Sequence, residues 1–463
     1  MKQEDLNMMR LFAVALLIMG SVCVDAQNGE GDCQRNGISS HDKATTSLSN
    51  CGQNELSVGL NFLTHGEIRG GGLPKPASED VVVEERANFL LGRTRLSVDY
   101  LRPGLEAKVV AQNKAVWGMK GNTALNLYEA WVKLQGRNGL FTQIGRIPLA
   151  YDDERIIGPN DWAMASNSHD VLVLGYEGHG HKVNAVLAYN QNADNVNTGT
   201  YYKDGAEPYK TMHTLWYHYD VPKFPLGASL LFMNIGMQAG TENKNAHTEY
   251  QQLVGGYVSF HPKYLNLEGS YYCQKGKNEY SCKMDTWMAS AKATVKPVEG
   301  YGLVLGYDYL SGDDYVAVVP PGALGMPRHE VFKGFSPVYG SHYKFYGMMD
   351  YFYESAYIQG FTPGLQNTFV GGYFKPLSRL TGSATYHYMA VATKLENLNK
   401  TLGHEIELEA EYRISKDISL SGGFTYMIGT ETMDRLKQGN DDKHARWCWF
   451  SLVVSPNLFT TKW

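Results

Sequence analysis

The chain has 463 residues, with 42 Lys and Arg against 47 Asp and Glu, for a net charge of −5. That balance supplies no basic field for nucleic acid, and no apolar run past the N-terminus is long enough for a membrane-crossing helix. With 31 Tyr, 17 Phe, 8 Trp and 49 Gly and a mean hydropathy of −0.33, two β-rich classes remain. One is a soluble β domain; the other is a membrane barrel, which looks polar on average because lumen-facing and lipid-facing residues alternate.

The N-terminus bears on the compartment. Leu11 to Val24, "LFAVALLIMGSVCV", is an apolar run of signal-peptide length, and Val24-Asp25-Ala26 before Gln27 fits a small-residue cleavage site. Residues 1–26 therefore read as an export signal, and Val22 before Cys23 argues against a lipid anchor. Residues 27–54 are polar, rich in Gly, Ser and Asn and without periodicity, which predicts a flexible periplasmic leader.

Residues 55–463 divide almost throughout into segments of barrel-strand length, about 18 in all, from 56–69 and 85–100 to 417–429 and 444–455. The links between them alternate in length. Short ones such as "RPG" after Leu101, "RNG" after Gln135 and "SKD" after Ile414 are interleaved with long ones at 70–84, 151–169, 194–206, 313–361 and 430–443. Periplasmic turns and extracellular loops produce this pattern, and an even strand count puts both chain ends on one side. The fold expected is thus an all-β transmembrane antiparallel barrel in the outer membrane of a Gram-negative cell, embedded in its lipid. The link 313–361 is too long for a bare turn, and loops of that size often fold inward and narrow the pore.

Individual strands show two faces. Arg93, Arg95, Ser97 and Asp99 alternate with Thr94, Leu96, Val98 and Tyr100; Glu405, Glu407, Glu409 and Glu411 alternate with Ile406, Leu408, Ala410 and Tyr412. Placing polar faces inward predicts a lumen lined by Arg93, Arg95, Lys108, Lys114, Glu129, Lys133, Arg146, Asp308, Glu405 and Glu407. Such side chains set selectivity through charge and through hydrogen bonds to hydroxylated solutes. Arginine forks suit carboxylates, whereas the glutamates suit a zwitterionic or neutral solute equally; ion pairs that only brace the wall are the third option.

Between "FTQIGRIPLAY" and Trp162 the chain packs Asp152, Asp153, Glu154 and Arg155 together, then bends at Gly158-Pro159 before Asp161. In a barrel this is the outer end of a strand entering a loop, with Arg155 and Asp161 among the residues that brace the loop or meet solute. Cys273 and Cys282 flank "QKGKNEYS", and a hairpin turning near Lys277 would put them opposite each other on one face, able to form a disulfide in an oxidising compartment. His179-Gly180-His181 falls in a two-strand turn without a third ligand, so no metal is expected. His387 with Ser383 and Thr385 lacks a nucleophile-elbow pattern, and a polar lumen lining accounts for it. No cofactor and no catalytic residues are expected.

Four stretches in order, "GRIPLAYDDERIIGPNDW" (Gly145 to Trp162), "GYDYLSGD" (Gly306 to Asp313), "FSPVYGSHYKFYGMMDYF" (Phe335 to Phe352) and "LGHEIELEAEYRIS" (Leu402 to Ser415), resemble the alginate export family of outer-membrane barrels in its Bacteroidetes form. The resemblance implies a monomeric barrel that passes a polyuronate through a charged constriction. It points to Arg146, Arg155, Asp161, Trp162, Asp308, Tyr339, His342, Asp350 and Glu405 as the matching residues. Three functions stand at this point: a channel for a small hydrophilic or acidic saccharide solute, a non-conducting scaffold in surface assembly, and an outer-membrane enzyme.

Overall fold

The computed structural model describes residues 54–71, 86–119, 123–136, 138–190, 209–239, 247–313, 331–349, 351, 357, 361–395, 397–437 and 444–463. The expected signal 1–26, the leader up to residue 53 and Asp350 lie outside the described residues.

The first half of the wall is β1 (Glu55–Gly71), β2 (Arg86–Arg102), β3 (Leu105–Val116), β4 (Thr123–Gln135), β5 (Leu140–Ile147), β6 (His169–Gly178), β7 (His181–Tyr189), β8 (Thr211–Asp220) and β9 (Leu226–Ala239). The second half is β10 (His247–Phe260), β11 (Leu265–Lys277), β12 (Lys283–Val298), β13 (Tyr301–Leu310), β15 (Leu365–Leu377), β16 (Leu380–Ala390), β17 (Thr401–Arg413), β18 (Ile418–Gly429) and β19 (His444–Val454). Each pairs antiparallel with the next, and β1 pairs with β19 as well as β2, so 18 strands close into a barrel with no free edge. Closure is how a sheet satisfies every backbone group without water. Four short elements complete the order among the described residues: β14 (Val331–Phe332) beside β12, a 3-10 turn (His342–Lys344), the helix α1 (Glu431–Lys437), and β20 (Asn457–Lys462), which continues β19 along β1.

Side chains alternate across the wall as a two-residue period requires. Leu96, Val109, Leu125, Ile144, Leu230, Leu303 and Phe450 stand exposed on the outside, a band no soluble protein of this kind would present to water. Aromatics collect at both ends of that band. Trp117, Tyr189, Tyr250 and Tyr280 lie toward the long-loop end, and Phe224, Tyr264, Tyr301 and Trp463 toward the short-turn end. Two such girdles are what the interfaces of a bilayer select.

The register corrects the cysteine expectation. β11 and β12 pair Lys277 with Lys283 and Cys273 with Trp287, so the hairpin turns near Tyr280, not Lys277. Cys273 shares the outward face with exposed Tyr271, while Cys282 lies past the strand on the parity of inward Met284, and both are free thiols. Cys33 and Cys51, a second candidate pair, lie outside the described residues.

Candidate functional site

The lumen is crossed by chain. Pro148 ends β5, and residues 148–168 run inward from the long-loop end before β6 begins. Asp152, Glu154, Asn160 and Ser166 take positive φ values of 55°, 65°, 47° and 53°, which folds the segment tightly at a steric cost that side-chain bonds must offset. Asp152 accepts hydrogen bonds from Ser229 Oγ and, at 3.1 Å, from Trp216 Nε1, fixing one end of the loop to β8 and β9. At the other end Asp161 Oδ1 receives Arg95 at 2.7 Å and Arg93 at 3.2 Å from β2. Gln112 on β3 adds a bond to the Ala165 carbonyl at 3.3 Å. The loop therefore spans the bore from wall to wall.

A second segment, residues 331–349 of the long β13–β15 connection, lies against the first. Gly158 N–H donates to the Tyr339 carbonyl at 2.9 Å, and Tyr339 N–H donates to Ile156 at 3.0 Å, a parallel bridge between loops. Gly340 is required there, because a Cβ at that position would collide with the Arg155 carbonyl oxygen. Glu154 accepts Ser341 Oγ at 2.9 Å and Lys344 Nζ at 2.6 Å. The segment reaches the far wall through its backbone, where Met349 N–H donates to Glu405 at 3.0 Å and Met348 N–H to Glu407. The inward folding expected of 313–361 is thus realised in its described part.

Arg155 joins the two loops to β13. It pairs with Asp308 at 3.0 Å and Asp153 at 3.2 Å, donates to Tyr346 Oη at 3.1 Å, and lies 3.9 Å from the Phe345 ring centre. Asp308 passes the network on through Asn367 at 3.0 Å to His387, whose Nε2 is 3.5 Å from Glu407. Burial lowers the tendency of Arg155 to stay charged, but Asp308, Tyr346 and Asp153 outweigh it and hold the guanidinium protonated. Burial pushes the Asp161 carboxyl up, and Arg93 and Arg95 outweigh that, so it titrates below its ordinary value of 3.8. Asp152 moves the other way, because burial exceeds what Ser229 and Trp216 return.

Part of the lumen is a packed core. Loop residues Leu149, Ile156, Ile157 and Phe335 bury against inward-facing Met212, Met233, Leu253, Met288 and Met427 of the wall. Each such isoleucine contributes about 2 kcal/mol on burial, so the loops are seated as well as tethered. Trp162 stands beside this core with its ring 5.9 Å from Tyr343, 4.7 Å from Trp449 and 4.9 Å from His65. Beneath the loops, toward the short-turn end, lies a cavity of about 400 Å³ lined by Asp153, Arg155, Trp162, Glu268, Lys292, Asp308, Tyr343, Phe369, Tyr373, His387, Glu407 and Glu409 among others.

Of the expected lumen residues, Arg155, Asp308 and Glu407 line this cavity. Arg93, Arg95 and Asp161 form the clamp, and Glu405 is fully buried under the second loop. Lys108 faces inward and pairs with Glu129 at 3.3 Å, Lys133 lies over Phe141 at 4.2 Å, and Lys114 shares the inner face opposite Arg93. Arg146 is a correction. It faces outward with Leu140 and Ile144, pairing with Asp170 at 2.6 Å on the outer wall near the long-loop end. The inward parity of β5 holds Phe141, Gln143, Gly145 and Ile147, of which Phe141 and Ile147 are buried in the apolar core. Glu268, Lys292, Tyr343, Lys344, Phe369 and Tyr373 were not foreseen. The first two sit at regular inward alternation that register alone reveals, and Tyr343 and Lys344 lie in an aperiodic loop.

With this geometry in view, solved structures supply a match for the fold. OccK5 (OpdH) of Pseudomonas aeruginosa superposes with a TM-score of 0.58 at 11% identity, over 87% of this chain and 98% of that one. Pseudomonas aeruginosa OpdL gives 0.58 at 12%, over 87% and 99%, and Acinetobacter baumannii OccAB1 gives 0.57 at 14%, over 87% and 97%. The chain shares the closed antiparallel barrel fold of these proteins. No protein-family model matches the sequence, and no curated protein does. At this identity the likeness is one of fold.

Proposed function

We propose that the protein is an outer-membrane channel for a hydrophilic solute, narrowed by its own inward-folded loops. One observation carries this reading: residues 148–168 are fixed across the bore at Asp161 and Asp152, and the space they leave is a cavity with a charged and aromatic lining. A charged constriction in a closed barrel selects solutes by local field and by hydrogen bonding. The outer apolar band and its two aromatic girdles support a place in outer-membrane lipid; a monomeric state and export by a signal at residues 1–26 belong to the same reading and rest on the sequence alone. The solved neighbours are channels of the Occ and Opd type, which supports transport in preference to catalysis. An acidic saccharide as cargo rests only on the resemblance of four stretches to alginate export barrels, and the surplus of carboxylates in the cavity lining weighs against it.

A second reading, a barrel closed by its loops and used as a scaffold, has its own support in the apolar core that fills part of the lumen. Conductance of the purified protein in a planar bilayer separates the two. Discrete steps above background are expected of the channel; a silent membrane with protein demonstrably inserted overturns it and leaves the scaffold.

A further inference from the structure

The cavity beneath the loops has walls of two chemistries. Trp162 and Tyr343 stack at 5.9 Å with 29° between their planes, and Phe369 and Tyr373 of β15 add further ring surface. The charged groups between them are unevenly matched. Every lysine or arginine in the lining already holds a carboxylate: Arg155 has Asp153 and Asp308, Lys292 has Glu268 at 2.5 Å, and Lys344 has Glu154 at 2.6 Å. The carboxylates are in excess. Glu407 and Glu409 follow each other along the inner face of β17, opposite Thr385 and Ser383 of β16. Glu407 has His387 at 3.5 Å and the Met348 amide, and no cation of the described residues reaches Glu409.

Resting on the channel reading, we propose that this cavity binds a small solute bearing an organic cation, an amine or amidinium, and that the barrel selects for such solutes over anions. Glu407 and Glu409 would receive the positive charge, and the faces of Trp162, Tyr343 and Phe369 would take the cation's flank, since ring quadrupoles attract a desolvated cation. A cavity of about 400 Å³ suits a compact organic solute. An anion finds no unpaired lysine or arginine there among the described residues, because displacing Asp153, Glu154, Glu268 or Asp308 from its cation would leave a charge unpaired in a half-buried site. The uronate implied by the family resemblance is disfavoured at this point of the path for the same reason.

The test uses the full-length barrel, with arginine amide, a cation without a carboxylate, and glucuronate as its anionic counterpart. In planar bilayers under a KCl gradient the wild type is expected to prefer K⁺ over Cl⁻. Arginine amide added on the short-turn side lowers its conductance at concentrations where glucuronate does not. Glu409→Gln, which removes no ion pair of the wall, shifts the reversal potential toward zero and weakens block by about tenfold, the equivalent of about 1.4 kcal/mol. Calorimetric titration of the detergent-solubilised barrel reads the same difference whether or not current flows, so a silent bilayer bears on the channel reading alone. Chloride preference, equal effects of the two probes, or block and binding untouched by Glu409→Gln would each overturn the proposal.

Discussion

Arg93 and Arg95 both point at one oxygen of Asp161, 3.2 and 2.7 Å away, from a strand wall in which the two guanidiniums are nearly buried. Neither arginine has another carboxylate among the described residues, so the loop supplies the charge that makes their burial tolerable. Asp161→Asn should loosen this end of residues 148–168 by about 1–2 kcal/mol, a charge-assisted bond reduced by solvent screening because a third of the Asp161 side chain is open. Single-channel recording would register it as larger or noisier conductance. The same clamp sets an acid limit. Asp161 titrates below 3.8 in the folded barrel, so its contribution is complete above that pH and is lost as pH falls through the lower folded value. The hold of this clamp on residues 148–168 should therefore be constant down to about pH 4 and be lost only below it; protease protection of the loop should fall in that range, and Asp161→Asn should abolish that acid step.

At the scale of elements, the two loops are held by a backbone bridge as well as by ion pairs. Tyr339 accepts from the Gly158 N–H and donates to the Ile156 carbonyl beside Gly340, where the Arg155 carbonyl leaves no room for a side chain. Gly340→Ala should push residues 331–349 away from residues 148–168 without touching any wall pairing. The expected result is protease sensitivity at the loops and raised conductance, with the circular dichroism of the barrel unchanged. An unaltered conductance would mean that the contact between loops does not set the bore. Element scale also accounts for the misplacement of Arg146. The alternation of polar and apolar residues marks the lumen only where the loops offer polar partners to the wall, as Asp161 does to Arg93 and Arg95 of β2 and the Met348 and Met349 amides do to Glu407 and Glu405 of β17. Along β5 to β9 the loops pack apolar side chains against the wall, so Val171, Val186, Met212 and Ile235 point inward while Leu174, Leu187 and Leu230 point outward. Polarity then says nothing about side, and a lone arginine on such a strand can face either way. A bulge in β4 adds a second source of error: Leu125 and Leu127 face out before it, Val132 and Leu134 after it, so the inward parity changes between Tyr128 and Glu129.

For the whole molecule, the wall and its filling are separable. Each of the 18 wall strands pairs with its neighbours through registers that leave out residues 148–168, so the barrel closes without them. Deleting residues 150–166 should give a barrel that still inserts and whose unit conductance rises severalfold, because the segment that crosses the bore is gone. A deletion variant conducting like the parent would place the constriction elsewhere. The cost expected is in stability, since Ile156 and Ile157 leave the lumen core at about 2 kcal/mol each.

The sequence by itself determined the barrel: its strand number, the alternation of short and long links, the shared side of the two ends, and the inward faces of β2 and β17. These follow from local periodicity, which a two-residue repeat and a turn signal write directly into neighbouring residues. It also singled out the loop with Asp161 and Arg155, but left open whether those residues brace it or meet solute. Only the tertiary structure decided which charges remain for a solute. Arg93 meets Asp161 across 68 positions, Arg155 meets Asp308 across 153, and Lys344 meets Glu154 across 190. Such pairings depend on two loops folding into one lumen, and no local pattern records them. A row of arginines that reads as an anion path in one dimension is neutralised in three, and the charge left without a cation among the described residues of the cavity lining is Glu409 of β17, beside Glu407 with only His387 near it.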